Sequence, residues 1–219
     1  MHLTTITFPD LHLSQRDGHK LRGYFSERFG QQSDLWHNHS KDGKPIYRYP
    51  LIQSKVVDHV PRVIGLERGA ELLINHFLDV QEIKIDDLVI PVHSKQVHSQ
   101  TVNIGVRPQL FTYRFATPWF ALNQDKYREY QQAPKDERIR ILNGNLISNM
   151  FSFMKEVGYH EEERIMTQVM DLKPVSSKFK GQTMTMFKGK FVTNVELPSY
   201  IGLGKSVSRG YGTIILEGN

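Results

Sequence analysis

His37 and His39 sit two residues apart in "SDLWHNHSKDGKPIYRY", residues 33–49, with Tyr47 and Tyr49 close behind. Polar and turn residues surround the pair. An unperturbed imidazole titrates near ~6.5, so at working pH one ring can accept a proton while a second donates one. On extended backbone, residues i and i+2 point to the same face about 6.5–7 Å apart, which would let the two rings bracket one reacting group. The same rings could instead hold a metal ion, or be surface histidines without a role. A metal site needs further ligands; His19, His59, His76, His93 and His98 exist, yet no H-x-x-x-H or H-E-x-x-H spacing occurs.

The composition narrows these options. The chain has no cysteine, which removes disulfides, thiolate–zinc sites and cysteine nucleophiles together. With 28 Lys+Arg against 23 Asp+Glu the formal net charge is +5, which favours a polyanionic partner without identifying one. The start, "MHLTTITFPD", lacks a basic segment followed by an apolar one, and no run approaches the ~18–20 apolar residues of a membrane span. The expectation is a cytoplasmic protein with no membrane partner and no cofactor.

The elements that must position the histidines can be read from periodicity. "HLTTITF" alternates as a strand, and Leu21, Tyr24, Phe25 and Phe29 then fall at helical spacing. Past the histidine segment, "PIYRYPLIQSKVV" and "PRVIGL" read as strands. Leu66, Ala70, Leu73, Ile74 and Phe77 form one apolar helix face. "EIKIDDLVIPVH" and "QTVNIGV" return to strand character, giving β-α-β-β-α-β over residues 1–106, the order of a ferredoxin-like unit.

Residues 107–219 begin the same order again. "QLFTYRFATPWFAL" is strand-like, and Ile139, Leu142, Leu146, Met150, Phe153 and Met154 mark a helix over 138–157. "RIMTQVMDL" and "QTMTMFKGKFVTNVEL" read as strands. Where a second helix is due, the chain has "YIGLGKSVSRGYG", then a last strand, "TIILEG". The fold class expected is therefore α+β, two tandem ferredoxin-like (RRM-like, βαββαβ) domains at 1–106 and 107–219, the second modified by a C-terminal glycine-rich loop.

That loop nearly satisfies G-x-x-x-x-G-K-[ST] through Gly204, Lys205 and Ser206, but Ser199 stands at the first glycine and only thirteen residues follow Ser206. This leaves no room for the helix, strand and Mg²⁺-binding aspartate of a nucleotide hydrolase. Gly202, Gly204, Gly210 and Gly212 around Lys205, Ser208 and Arg209 fit either a backbone that approaches a phosphodiester closely or a turn rich in glycine for packing. Lys173, Lys178, Lys180, Lys188 and Lys190 fall on an expected hairpin, "KPVSSKFKGQTMTMFKGK", with few carboxylates near. A solvated lysine face and a nucleic-acid contact both account for them.

Gly202-Leu203-Gly204 followed by Ser208-Arg209-Gly210-Tyr211-Gly212 ahead of a terminal strand resembles the glycine-rich signature of the repeat-associated mysterious protein superfamily of CRISPR systems. "HKLRGYFSERF", "LWHNHSKDGKPIYRYPLIQ" and "PRVIGLERGAELL" are similar to the subtype-b branch of the Cas-six type pre-crRNA endoribonucleases. The motif content covers residues 18–79 and 198–216.

The resemblance implies two tandem ferredoxin-like domains that bind CRISPR repeat RNA. It implies one metal-independent cut per repeat, leaving a 2′,3′-cyclic phosphate and a 5′-hydroxyl. Such chemistry needs a base for the 2′-hydroxyl proton, an acid for the departing 5′-oxygen and a cation or donor for the charged phosphorane. The family pattern has two histidines and a tyrosine here, so His37, His39 and Tyr47 are the catalytic candidates. Arg28 on the first helix, or Lys41 or Lys44, would supply the cation. The RNA-binding candidates are Gly202, Gly204, Lys205, Ser208, Arg209, Gly210 and Gly212, with Lys178, Lys180, Lys188 and Lys190. If the tandem fold holds, the hairpin, Lys205 and Arg209 share one domain. A non-cleaving repeat RNA-binding subunit is the alternative; other effector-complex proteins and a second copy of the chain are open as partners. His37-Asn38-His39 is not an HNH metal site, whose histidines come from separated strand and helix positions.

Overall fold

A computed structural model describes residues 1–36, 48–77, 79–179 and 182–218. They divide into a first unit of residues 1–102 with 207–210, and a second of 103–206 with 211–219.

In the first unit, β1 (His2–Thr7) buries Leu3, Thr4 and Ile6. Ser14 and Asp17 then bond each other's backbone in a 3-10 turn, which leads into α1 (Gly18–Phe29). Leu21, Phe25 and Phe29 recur at helical spacing on its buried side. Phe25 is fully buried, with ring centroids 5.1 Å from Phe77, 6.0 Å from Trp36 and 6.3 Å from Phe8.

β2 (Ile52–Val57) and β3 (Val60–Leu66) form a hairpin. Asp58 and His59 supply the two positive φ angles, 51° and 65°, that a tight right-twisted turn requires. In α2 (Arg68–Phe77), Ala70, Leu73 and Phe77 face inward, while Ile74 is exposed. Lys95 donates to the carbonyls of Phe77 and Val80 at 3.2 and 2.8 Å, satisfying acceptors that the end of α2 leaves open.

The sheet runs β2-β3-β1-β6, with β6 (Gln96–Thr101) antiparallel to β1. Numbered by strands of this sheet alone, that is the 4-1-3-2 order of a ferredoxin-like fold read from its other edge. "EIKIDDLVIPVH" is not in it. Those residues form a separate hairpin, β4 (Glu82–Ile85) with β5 (Leu88–Pro91), and the fourth sheet strand falls earlier than "QTVNIGV". β6 is an edge strand exposed at every position, so burial gave its sequence no apolar alternation.

The second unit repeats the order. β7 (Gly105–Phe115), β8 (Thr167–Phe179), β9 (Gln182–Glu196) and β10 (Ile214–Leu216) lie as β10-β7-β9-β8, all antiparallel. Between β7 and β8 come α3 (Gln124–Gln132) and α4 (Lys135–Glu156). α4 is the expected helix, with Leu142, Leu146, Met150, Phe153 and Met154 buried. α3 was not expected, for it buries no residue and carries no apolar stripe.

A loop, residues 197–213, stands where a second helix would complete the unit, as expected. Tyr113 fixes its start: the buried hydroxyl donates to the Leu197 carbonyl at 3.0 Å and accepts from the Leu197 amide at 2.7 Å. Burial pushes this phenol up to about 12, so it stays protonated as a donor. Tyr113→Phe would leave both Leu197 groups unpaired; urea unfolding should show a loss of about 1–3 kcal/mol at unchanged m.

Candidate nucleic-acid interface and active-site segment

His37, His39, Tyr47, Lys41 and Lys44 lie outside the described residues, but the residues flanking them are fixed. Trp36, next before His37, is buried with its ring 5.5 Å from Phe29, and its carbonyl accepts from the Ser26 hydroxyl at 2.7 Å. Arg48, next after Tyr47, donates through Nη2 to the backbone oxygen and to Oδ2 of Asp34, both at 3.1 Å. The segment thus leaves from and returns to one place beside the last turn of α1. β2 begins only at Ile52, so residues 48–51 are not part of the strand expected there, and Tyr47 itself lies outside the described residues.

Arg28 occupies that last turn. Its guanidinium donates to the Tyr24 hydroxyl and the Asp79 carbonyl, each at 3.1 Å, and lies 5.6 Å from the Phe29 ring centroid. The side chain is exposed and oriented, but these bonds direct two of its nitrogens at protein acceptors.

The glycine-rich loop is built mainly by packing. Gly212 has φ 62°, and a Cβ there would collide with the Leu203 carbonyl; its amide donates to Pro118 O at 2.8 Å. Gly204 has φ 95°, and a Cβ would come within 2.7 Å of Trp119 Nε1. Gly210 donates to the Val207 carbonyl, and Gly202 bridges Thr213. The Gly210 and Gly212 amides are thus spent inside the protein rather than left as donors for a ligand. Gly202, Ser208, Gly210 and Gly212 are buried, whereas Lys205 is exposed and Arg209 half-buried.

The 3-10 turn Val207–Arg209 packs within the first unit, against α1 and the free edge of β2. A Cβ on Gly18 would meet the Arg209 carbonyl at 2.7 Å. Arg209 therefore belongs with α1, and not with the hairpin lysines of the second unit. Two groups here were not singled out from sequence. Arg22 of α1 is half-buried, and its pKa is held down by burial first and then by the like charge of Arg209. Lys55 of β2 is fully buried, and its ammonium donates to the Val207 carbonyl at 3.2 Å. Desolvation holds this amine well below the ordinary lysine value of 10.5. Lysine at a strand position within "LIQSKVV" is the one sequence signal for it.

On the β8–β9 hairpin, Lys173 and Lys188 are direct cross-strand partners and both are exposed. Like charges placed opposite each other cost stability. Lys190 pairs with Glu217 at 2.6 Å. The Lys178 side chain and Lys180 lie outside the described residues. Trp36 and Trp119 are core residues at 3% and 0% exposure, and His76 stacks on Phe29 with centroids 5.2 Å apart.

Two ferredoxin-like units, the second closed by a glycine-rich loop in place of a helix, define a tandem RRM-like protein with basic groups on both units. Its family can be stated more narrowly. Residues 1–103 match the Cas6b N-terminal domain and residues 105–216 the Cas6b C-terminal domain, and the chain belongs to the Cas6b family. A solved structure of Cas6b is 34% identical, covers 99% of each chain and superposes with a TM-score of 0.93. A second, the CRISPR RNA processing endoribonuclease Cas6b, is 32% identical, covers 99% of this chain and 100% of that one, and gives a TM-score of 0.79. An uncharacterised protein of Methanocaldococcus jannaschii is 30% identical over 138 residues, 63% of this chain and 94% of that protein.

Lys55 gives a pH signature. The unfolded chain keeps the lysine proton up to about 10.5, while the folded chain releases it earlier, so in between the unfolded state binds more protons and stability rises with pH. Thermal melts of wild type and Lys55→Met from pH 7 to 10 should show wild type gaining stability relative to the variant. A difference that does not change with pH would mean that Lys55 is not desolvated.

Proposed function

We propose that the protein is an endoribonuclease that binds CRISPR repeat RNA and cuts pre-crRNA once within each repeat, without a metal ion. The observation that carries this reading is the likeness over 99% of the chain to a CRISPR RNA processing endoribonuclease, joined to a two-histidine segment whose flanks are held by Trp36 and Arg48.

The reaction is an internal transesterification. The 2′-oxygen attacks the adjacent phosphorus, the bond from phosphorus to the 5′-oxygen breaks, and a 2′,3′-cyclic phosphate and a 5′-hydroxyl result. One histidine of His37 and His39 takes the 2′-hydroxyl proton and the other protonates the leaving 5′-oxygen. Tyr47 donates a hydrogen bond to the phosphate or orients the 2′-hydroxyl. Arg28, or Lys41 or Lys44, supplies positive charge to the phosphorane. The RNA backbone is held by Lys205 and Arg209, by Lys188, and by Lys178, Lys180 and Lys190 of the hairpin. Gly202, Gly204, Gly210, Gly212 and the buried Ser208 shape the loop that presents Lys205 and Arg209.

Replacing His37 and His39 by Ala should lower single-turnover cleavage of the repeat by ~10²–10⁴-fold per group while leaving its Kd near wild type. Cleavage should survive excess EDTA and stop when one nucleotide carries 2′-deoxy. Loss of activity to EDTA would replace the acid–base assignment with a metal site; binding without any cleavage would place the protein among non-cleaving RNA-binding subunits. Lys188→Ala should weaken all RNAs alike and flatten the salt slope by about one unit, and an unchanged slope would remove Lys188 from the interface.

A further inference from the structure

A cleft of about 440 Å³ opens in the second unit between the start of α3 and β9, and none of the residues singled out from sequence lines it. Phe120 and Tyr127 give it aromatic surface, and Leu122 and Met184 complete its apolar lining. Asn123 and Gln124 add side-chain amides and Thr183 a hydroxyl, and no charged residue lines it. This size lies near the lower end of the ~300–1,000 Å³ range of small-ligand pockets, enough for one nucleotide and too small for a run of them.

The hydrogen bonds at the cleft leave a donor to spare. The Tyr127 hydroxyl accepts from Thr185 Oγ1 at 2.8 Å and from Gln131 Nε2 at 3.3 Å. A phenol has two acceptor positions and one proton, so its own proton is still available for an acceptor in the cleft. A cation stands nearby as well. The Lys205 ammonium is 5.8 Å from the centroid of the Phe120 ring, and the Lys205 amide donates to the Phe120 carbonyl at 3.0 Å, so the glycine-rich loop holds this charge against one wall. Flat apolar walls, amides able to donate and accept, a spare hydroxyl proton and a neighbouring ammonium match the ring, edges and phosphate of a nucleotide.

We propose that this cleft is a single-nucleotide subsite that takes one unpaired base of the bound RNA, with Lys205 on the phosphate beside it. The inference rests on the reading of the chain as a repeat RNA-binding enzyme and adds a place where base identity is sensed. Tyr127 contributes both a ring face and a proton donor to the base, so it is the residue to test.

The probe is the repeat RNA of the protein's own genome, intact and as a series with one abasic residue at each position, bound to the full chain and read by fluorescence anisotropy. One position should lose about 5- to 100-fold in affinity when its base is removed. Tyr127→Ala should abolish that penalty and leave those at other positions unchanged, and Tyr127→Phe should keep most of it. Met184→Trp, which fills the cleft without removing the Tyr127 bonds, should act as Tyr127→Ala does, so the test does not depend on one variant folding. Penalties in both cleft variants equal to those of wild type at every position would overturn the subsite, as would uniform weakening of all the RNAs. Wild-type cleavage of the intact repeat separates the two readings: if cleavage persists while no position couples to Tyr127, only the subsite falls, and if the chain neither binds nor cuts the repeat, both fall.

Discussion

Burial of Phe25 among Phe8, Phe29, Trp36 and Phe77 fixes α1 on the sheet of the first unit, and the placement of everything near the histidine segment follows from it. Stacked and tilted aromatic pairs have preferred geometries as well as large buried areas, so the cluster sets the rotation of α1 about its axis. That rotation carries Arg28 on the outer side of the last turn and brings Ser26 to the Trp36 carbonyl. The chain is therefore anchored through Trp36, the residue before His37. The Arg48–Asp34 pair returns it to the same place, although both partners are accessible enough that the pair adds little stability by itself. Its value is positional.

The glycine-rich loop shows how one sequence feature can serve two demands. Gly212 and Gly204 are required by close approach to Leu203, Trp119 and Phe120, which is a packing reason. Yet the same close approach lets Lys205 lie over Phe120, while within the first unit the Val207–Arg209 turn packs beside α1 and β2. Glycines that look like ligand donors are thus spent on shaping the backbone, and the neighbouring cations gain fixed positions from them. Lys55 belongs to this scheme, since a desolvated amine is retained in a strand where an apolar side chain would pack more cheaply. What it provides in exchange is a directed bond to the turn, to Val207.

How far the sequence could be read depended on burial. Helices α1, α2 and α4 present apolar stripes because one face of each is dry, and their periodicity located them. The tandem ferredoxin-like order and the missing second helix were legible for the same reason. α3 was silent: Tyr127 and Tyr130 are its only aromatic residues and both are half-buried, so its nine residues carry no stripe. β6 was misplaced because an edge strand with every residue exposed has no alternation to read. Among candidate site residues, those with local chemistry, such as the glycines and the hairpin lysines, could be named from spacing. The Arg22–Arg209 and Lys205–Phe120 neighbours could not, because each pair joins residues more than eighty positions apart. Only the three-dimensional chain brings them together.

Like charges left facing each other bear on what the surface is for. Lys20 has Asp17 and Asp86, and Lys190 has Glu217, so carboxylates stand beside some lysines of this chain. Lys173 and Lys188 instead face each other across the hairpin, and burial together with the like charge of Arg209 holds the pKa of Arg22 down. A cross-strand pair of like charges forgoes or opposes a contribution of about 0.2–1 kcal/mol, and half-burying an arginine near another adds a desolvation cost. A phosphate bound at such a pair would offset both costs through charge-assisted hydrogen bonds. On the proposed RNA-binding reading, stability given up at such a pair in the free protein would return as affinity for the polyanion.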